Sequence, residues 1–432
     1  MQILAVPNLP GHPHIAYCDA SLQIEHVSAT ALAQEFGTPT YVYSRAAIED
    51  AARQFLDAAA AGAAHASVDL RYAVKANSSL AILQILARLA WGFDIVSGGE
   101  LLRVLAAGGD AAKVVFSGVG KTAADMRLAL DSGIDCFNVE SSNELMLLDT
   151  VAAQAGKTAR VALRINPDVD AGTHPYISTG LRSNKFGIAQ DQAVSLVGQI
   201  AQLRHLRLVG IASHIGSQIT STAPYLDALD RILDLIGDIE RKGAHLEHID
   251  LGGGLGIRYT DQTPPTPREW LEPQLARIAA RGYGHRKVVI EPGRSVVGNA
   301  GVLLTRTLFV KTTPAKHFAI VDAAMNDLIR PALYAAEQEI VPAESRPGNA
   351  LRYDIVGPVC ESADFLGRDR ALVLQEGDVL AVLSSGAYGM VMASNYNTRC
   401  RPAEVLVDGK DVTLIRPRET PDQLYASERL LP

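Results

Sequence analysis

The sequence predicts an α/β fold, a (β/α)8 barrel of the TIM type, joined to a second, mostly β-stranded domain. Three observations carry this prediction. Eight short apolar runs alternate with amphipathic stretches between Leu70 and Glu291, the strand-helix rhythm of a parallel sheet. Polar or glycine residues stand at the carboxyl end of nearly every run, where a barrel presents its working groups. After Gly301 the helical spacing gives way to strands joined by tight turns.

From Tyr17 to Ser44 the chain reads as a strand, a short helix over Ala31–Glu35 and a second strand, Pro39–Tyr43, with a helix beginning near Arg45. Barrel strands are expected at Leu70–Ala76, Phe93–Val96, Val114–Ser117, Cys136–Val139, Arg160–Ile165, Leu208–His214, His248–Leu251 and Val288–Glu291. Apolar residues at helical spacing place helices over Leu80–Leu89, Leu101–Ala107, Ala123–Leu130, Asn143–Ala155, Gln192–Leu203, Tyr225–Lys242 and Arg268–Ala280. Asn77, Ser78 or Ser79 is expected to cap the first of these.

Two insertions interrupt the rhythm, Pro167–Gly180 and the proline-rich Tyr259–Pro267; long strand-to-helix loops of a barrel lie on its active face. Beyond the barrel, strands are expected at Val302–Val310, His317–Val321, Leu351–Val356 and Val379–Leu383, with a hairpin in Glu404–Arg416 turned by Asp408-Gly409. The β-prone amino-terminal segment is assigned to this second domain. The expected boundaries are therefore residues 1–44 joining the β domain, 45–301 forming the barrel and 302–432 completing the β domain.

The 432 residues, 48% hydrophobic and 20% charged, suffice for more than one core. A net charge of -7 with no block of Lys or Arg argues against nucleic acid as a partner. No basic leader and no uncharged run of transmembrane length are present, so a cytoplasmic protein without a membrane partner is expected. Cys18, Cys136, Cys360 and Cys400 are far apart and form no C-x-x-C pair, so no metal site is expected. These exclusions leave a small molecule as the ligand class.

The strand ends deliver Lys75, Asp94, Ser117, Glu140, Arg164, His214, Gly252-Gly253-Gly254 and Glu291. A lysine at a strand end among apolar residues can shed hydration and offer a neutral amine to a carbonyl. Glycines directly after a strand let backbone N–H groups approach an anion. Singly, each has a plain structural reading: a solvated Lys, a tight turn, a structural His, a rim salt bridge between Glu291 and Arg294. Together, an amine, an anion cradle and a carboxylate around one barrel mouth describe a pyridoxal 5'-phosphate site. Lys75 would carry the aldehyde, the glycines the phosphate, and Glu291 would keep the pyridine nitrogen protonated.

The motifs Tyr72-Ala-Val-Lys-Ala-Asn77, His214-Ile-Gly-Ser-Gln218, Asp250-Leu-Gly-Gly-Gly254, Glu291-Pro-Gly-Arg294, Cys360-Glu361 and Gly386-Ala-Tyr-Gly389 resemble those of the alanine-racemase-fold, pyridoxal-phosphate-dependent decarboxylases. Within that family the chain is similar to the branch acting on diaminopimelate, from about Tyr17 to Ile415. The resemblance implies a Schiff base on Lys75, His214 stacked on the ring, and Ser217, Gly253 and Gly254 at the phosphate. Asp94, Gly293, Arg294 and Tyr388 complete the implied cofactor set, with Glu291 at the ring nitrogen. It implies that Cys360 reaches the neighbouring subunit's barrel as proton donor, so that a homodimer carries active sites at its interface. Arg294, Arg330, Tyr334 and Tyr388 match substrate positions, the arginines for a distal carboxylate, and Glu361 matches that for a distal amine.

The implied function is decarboxylation of meso-2,6-diaminopimelate to L-lysine and CO2, the last step of lysine biosynthesis. Related ornithine decarboxylases have Asp after the cysteine and no Arg at the position of Arg330, and both differences favour diaminopimelate. Without the family, Arg330 reads as a surface Arg beside Pro331. Ala335 departs from the Asp or Gly often found there, which bears on fine substrate preference. The competing readings are a decarboxylase of another D- or L-diamino acid (D-ornithine, D-lysine or arginine), an amino-acid racemase of the same fold, and a non-catalytic carrier of the cofactor. Glu291 speaks against the racemase, in which an Arg typically meets the ring nitrogen; the β domain speaks against the carrier.

Overall fold

The computed structural model describes residues 9–172, 174, 177, 179–181 and 184–432. Part of the Pro167–Gly180 insertion, and Arg182 and Ser183 beyond it, thus lie outside the described residues. The chain divides into two compact units. One comprises the chain up to Asp50, Arg258–Gln262 and Val296–Pro432; the other comprises Ala51–Ile257 and Thr263–Ser295.

The second unit is a closed parallel barrel. Its strands are Val68–Ala73, Gly92–Ile95, Val114–Phe116, Cys136–Val139, Ala159–Asn166, Leu206–Ser213, His248–Asp250 and Lys287–Ile290, and the last pairs with the first through Val288 and Val68. A short strand, Ile188–Ala189, lies beside Ala159–Asn166. The strands read as near-continuous apolar runs because helices cover their outer face and the barrel interior covers the other. Helix starts are set locally: Ser97 and Ser141 accept N–H bonds from Glu100 and Glu144, and Thr122 with Asp125 and Thr266 with Glu269 form capping boxes. Outside the strands, Phe55 meets Trp91 and Trp270 edge-on at 6.0 and 6.2 Å between ring centres. At the amino ends of the strands Asp135 binds both Arg71, at 2.5 Å, and Arg160, at 3.2 Å, a tie that belongs to the stability of the closed end.

The other unit is mostly β. Its sheet runs Phe365–Leu372, Leu351–Val356, His317–Val321, Gly301–Thr312, Thr40–Ser44, Ala403–Asp408, Asp411–Arg416. The long strand Gly301–Thr312 also pairs with Val379–Val382, which pairs with Ile340–Pro342. Thr40–Ser44 lies between a carboxyl-terminal strand on each side, so the amino-terminal segment is built into this sheet. Ile15, Leu22, Val42, Val302, Leu383 and Val405 share its core.

Several expectations shift. The single strand expected from Tyr17 is a three-strand meander, Ile15–Cys18, Ser21–Ile24 and Val27–Ser28. Its turns use Asp19 and Glu25 at positive φ, 54° and 53°, where no glycine signals them. The first barrel strand stops at Ala73, and Val74–Ala76 forms a 3₁₀ turn, so Lys75 stands on a turn beyond the strand. Ser79 precedes the next helix without a side-chain cap; instead Asn77 Oδ1 accepts the Ser79 N–H at 3.0 Å. Strand Phe365–Leu372 was not anticipated, because Gly367 and three charged residues break its alternation and its register shifts at Gly367.

Candidate active site

The carboxyl ends of the barrel strands surround a cavity of about 140 Å3 lined by Lys75, Asp94, Ser117, Asn138, His214 and Glu291, among others. Lys75 Nζ lies 2.5 Å from Asp94 Oδ2, and the Asp94 side chain is wholly buried. His214 follows the strand Leu206–Ser213. Burial first, then the cations of Arg164 and Lys75, hold its pKa well below the ordinary imidazole value, so the ring is neutral. Its Nδ1 accepts the Gly253 N–H at 3.3 Å, which fixes the ring and leaves the proton on Nε2.

Glu291 follows the strand Lys287–Ile290 and is 8% exposed. Burial, then the nearby Asp250 and Asp94, push its pKa well above the usual carboxylate range, while Lys75 opposes the shift. Its N–H donates to Gly252 O at 2.7 Å. The glycine turn is required by sterics. Gly252 and Gly254 have φ of 67° and 99°, and a Cβ at Gly253 or Gly254 would lie 2.1 Å from Glu291 O or 2.3 Å from Gly216 O. Ile219 N donates to Gly254 O at 3.0 Å, which sets the His214–Gln218 turn beside the glycines. In that turn Ser217 Oγ accepts from Arg294 Nη2 at 2.9 Å, so the predicted Glu291–Arg294 segment sends its guanidinium to the serine. Gly293 packs on the lysine-bearing segment, where a Cβ would press on those of Ala73 and Ala76 at 3.0 Å.

Two strand-end residues satisfy each other. Glu140 binds Arg164 at 2.8 Å and accepts the N–H groups of Gly118 and Gly187, each at 3.0 Å. They brace neighbouring loops. Conversely, Asn138 and Asp250 belong to the site although no role was read for them: Asn138 Nδ2 lies 3.2 Å from Asp250 Oδ2 and 3.5 Å from Glu291 Oε1. The signal was present as a polar residue inside the apolar runs Cys136–Val139 and His248–Leu251.

In the β unit, Cys360 and Glu361 are exposed. Their loop is pinned by Asp364, whose carboxylate accepts the N–H groups of Val359 at 2.8 Å and Met325 at 2.6 Å. Cys360 N donates to Asn397 Oδ1 at 3.3 Å, and Glu361 accepts the Tyr396 hydroxyl at 2.5 Å. Tyr388 is held at φ 55°, a strained backbone for a bulky residue. Arg330, expected on the surface from its local sequence, is 5% exposed and lies over the Tyr259 ring at 4.4 Å. It opens the short helix Arg330–Tyr334, which Ala335 ends at φ 49°. That conformation explains why Asp or Gly suits position 335.

The barrel residues fit pyridoxal phosphate on three counts. An amine stands at the mouth, a turn without side chains lets the backbone approach an anion closely, and a buried carboxyl group lines the same cavity as the amine. The family profile described as the pyridoxal binding domain of pyridoxal-dependent decarboxylases matches residues 45–298. Fold and site thus define a pyridoxal-phosphate-dependent decarboxylase. Diaminopimelate decarboxylase from Pseudomonas aeruginosa is 57% identical over 417 residues, 96% of this chain and 99% of that protein. The protein of the same name from Vibrio cholerae is 56% identical over 96% of this chain and 98% of its own. A crystal structure of diaminopimelate decarboxylase from M. jannaschii in co-complex with L-lysine superposes with a TM-score of 0.92, at 37% identity over 98% of this chain and 99% of that one. The chain belongs to the diaminopimelate decarboxylase family of pyridoxal-dependent carboxy-lyases. No described helix is long and apolar enough to cross a membrane.

Proposed function

We propose that this barrel mouth runs the family's reaction, removal of CO2 from meso-2,6-diaminopimelate at its D centre to leave L-lysine, with each role assigned to a numbered side chain. The observation that carries the reading is the convergence of Lys75, Asp94, neutral His214 and buried Glu291 on one cavity. When bound, pyridoxal 5'-phosphate supplies the electron sink that takes up the pair released with CO2.

Lys75 Nζ would hold the cofactor's aldehyde carbon, and Asp94 Oδ2, 2.5 Å away, is placed to take and return the Nζ proton. His214, uncharged and tied through Nδ1, offers a flat face to the ring without repelling its positive charge. Ser217, Gly253 and Gly254 would hold the phosphate, Gly253 through close backbone approach because its N–H is engaged by His214 Nδ1, and Arg294 fixes Ser217 by donating to its Oγ. Glu291 would meet the ring nitrogen. The Cys360 thiol delivers a proton to the substrate carbon that lost CO2, reaching a neighbouring subunit's barrel from its fixed loop. Arg330, with Arg294, Tyr334 and Tyr388, grips the distal carboxylate, and Glu361 the distal amine. The assembly is accordingly a cytoplasmic homodimer with shared sites.

The test is CO2 release from diaminopimelate stereoisomers in the presence of added cofactor. Release from the meso isomer with L-lysine as product supports the assignment. Preferential turnover of D-ornithine, D-lysine or arginine moves the protein to another substrate, and a change in optical rotation without CO2 makes it a racemase.

A further inference from the structure

Behind Glu291 lies a second carboxyl group. Asp250 ends the strand next to that of Glu291, with Asp250 paired to Val289, and is 1% exposed. One of its oxygens accepts the Gly252 N–H at 2.8 Å, which suffices for holding the glycine turn. The other accepts from Asn138 Nδ2 at 3.2 Å, and the same amide lies 3.5 Å from Glu291 Oε1 and 3.1 Å from Ser117 Oγ. Asn138 therefore links three strand ends. A turn-holding aspartate needs none of these additional contacts.

We infer that Asp250 and Asn138 are positioning residues for the ring nitrogen of the cofactor, Asp250 by backing Glu291 with a second acidic group and Asn138 by bridging the two. The inference rests on the reading that Glu291 faces that nitrogen. Two carboxyl groups out of water and in mutual contact do not both ionise readily, so the pair favours the state in which the two share one proton. Burial raises the pKa of both. A pyridinium N–H at Glu291 draws that proton onto Asp250, so the pair presents one negative charge to the ring without exchanging protons with solvent. As pH rises and the shared proton leaves, the second charge holds the N–H more tightly. The other groups facing the pair are Asp94 and Lys75 beside Glu291 and Arg71 beside Asp250. Arg71 is itself paired with Asp135 at 2.5 Å, so its charge is largely offset.

The test is the 15N chemical shift of ring-labelled pyridoxal phosphate bound to the full-length enzyme, followed against pH. Asp250→Asn retains an oxygen for Gly252 but removes the acidic group; it should lower the pH at which the ring nitrogen loses its proton by about one unit or more, a tenfold loss of proton affinity. Asn138→Leu, which removes the bridging donor and leaves the glycine turn alone, should move it the same way by less and keeps the inference testable if Asp250→Asn does not fold. Midpoints unchanged in the variants that bind cofactor, while Glu291→Gln loses the ring proton, overturn the inference alone. A ring proton unaffected in Glu291→Gln overturns the Glu291 assignment and this inference with it.

Discussion

Around the barrel cavity Asp94, Asp250 and Glu291 are 0, 1 and 8% exposed and are bonded into neighbouring strands and turns. In the β unit Cys360 and Glu361 stand exposed on a loop held by the Asp364 carboxylate and by bonds to Asn397 and Tyr396. The barrel fixes charge where water cannot screen it, so its groups act through pre-set electrostatics. The loop instead leaves a thiol and a carboxylate in the open on a backbone tied down by side-chain hydrogen bonds. On the function proposed above, the retained cofactor would use the first arrangement and the exchanging substrate the second.

Replacing a residue from each half separates these tasks. Lys75→Ala should abolish cofactor attachment and reduce turnover by on the order of 10³-fold or more, read by loss of the cofactor's absorption band together with CO2 release. Retention of both band and turnover would break the barrel half of the comparison. Cys360→Ala should leave the band intact and reduce turnover by roughly 10²–10³-fold, the usual range for a proton-transfer group. Arg330→Ala, from the β unit's buried helix start, should raise KM for diaminopimelate about 10–100-fold more than it changes kcat, since it removes a charged grip held throughout the reaction.

Two buried groups, an imidazole in the barrel and a carboxyl in the β unit, should respond to pH in opposite directions. His248, inside the barrel, has its pKa lowered from 6.5 to about 4 by burial and then by Arg71. Its folded form resists protonation, so the stability it contributes is lost as pH falls from 6.5 towards 4. Asp327, in the β unit, is raised from 3.8 to about 7 by burial. Its folded form keeps the proton, so stability present below 3.8 is lost as pH rises through 7. Each effect is on the order of 3 kcal/mol at full extent. Chemical unfolding across this range should show His248→Gln flattening the acid slope and Asp327→Asn the neutral one; unaltered slopes would refute the assignment. The smallest effect is expected from Ala335→Gly, which relieves a left-handed alanine and should raise stability by about 1 kcal/mol or less with turnover unchanged.

The barrel was legible because its strands are buried on both faces and its helices on one, and both conditions write themselves into residue spacing. Cys136–Val139 and His317–Val321 were found to the residue. The meander at Ile15–Ser28 was not, since its turns use Asp19 and Glu25 in place of glycine. Phe365–Leu372 was missed because charged residues on an exposed strand face carry no hydrophobic pattern.

What the sequence determined by itself was the order of strands and helices and which residue types reach the strand ends. Apolar spacing and glycine placement are local properties of the chain, and Lys75, His214, Gly252–Gly254 and Glu291 could be read from them directly. Tertiary structure alone decided which of those groups act together. It tied Glu140 to Arg164 while leaving Arg164 on the cavity wall beside His214, took Arg330 off the surface onto Tyr259, and set Asn138 and Asp250 against Glu291. The physical reason is that hydrogen bonds and charge interactions depend on separations of a few ångströms between strands far apart in the chain, which barrel closure sets and residue order does not.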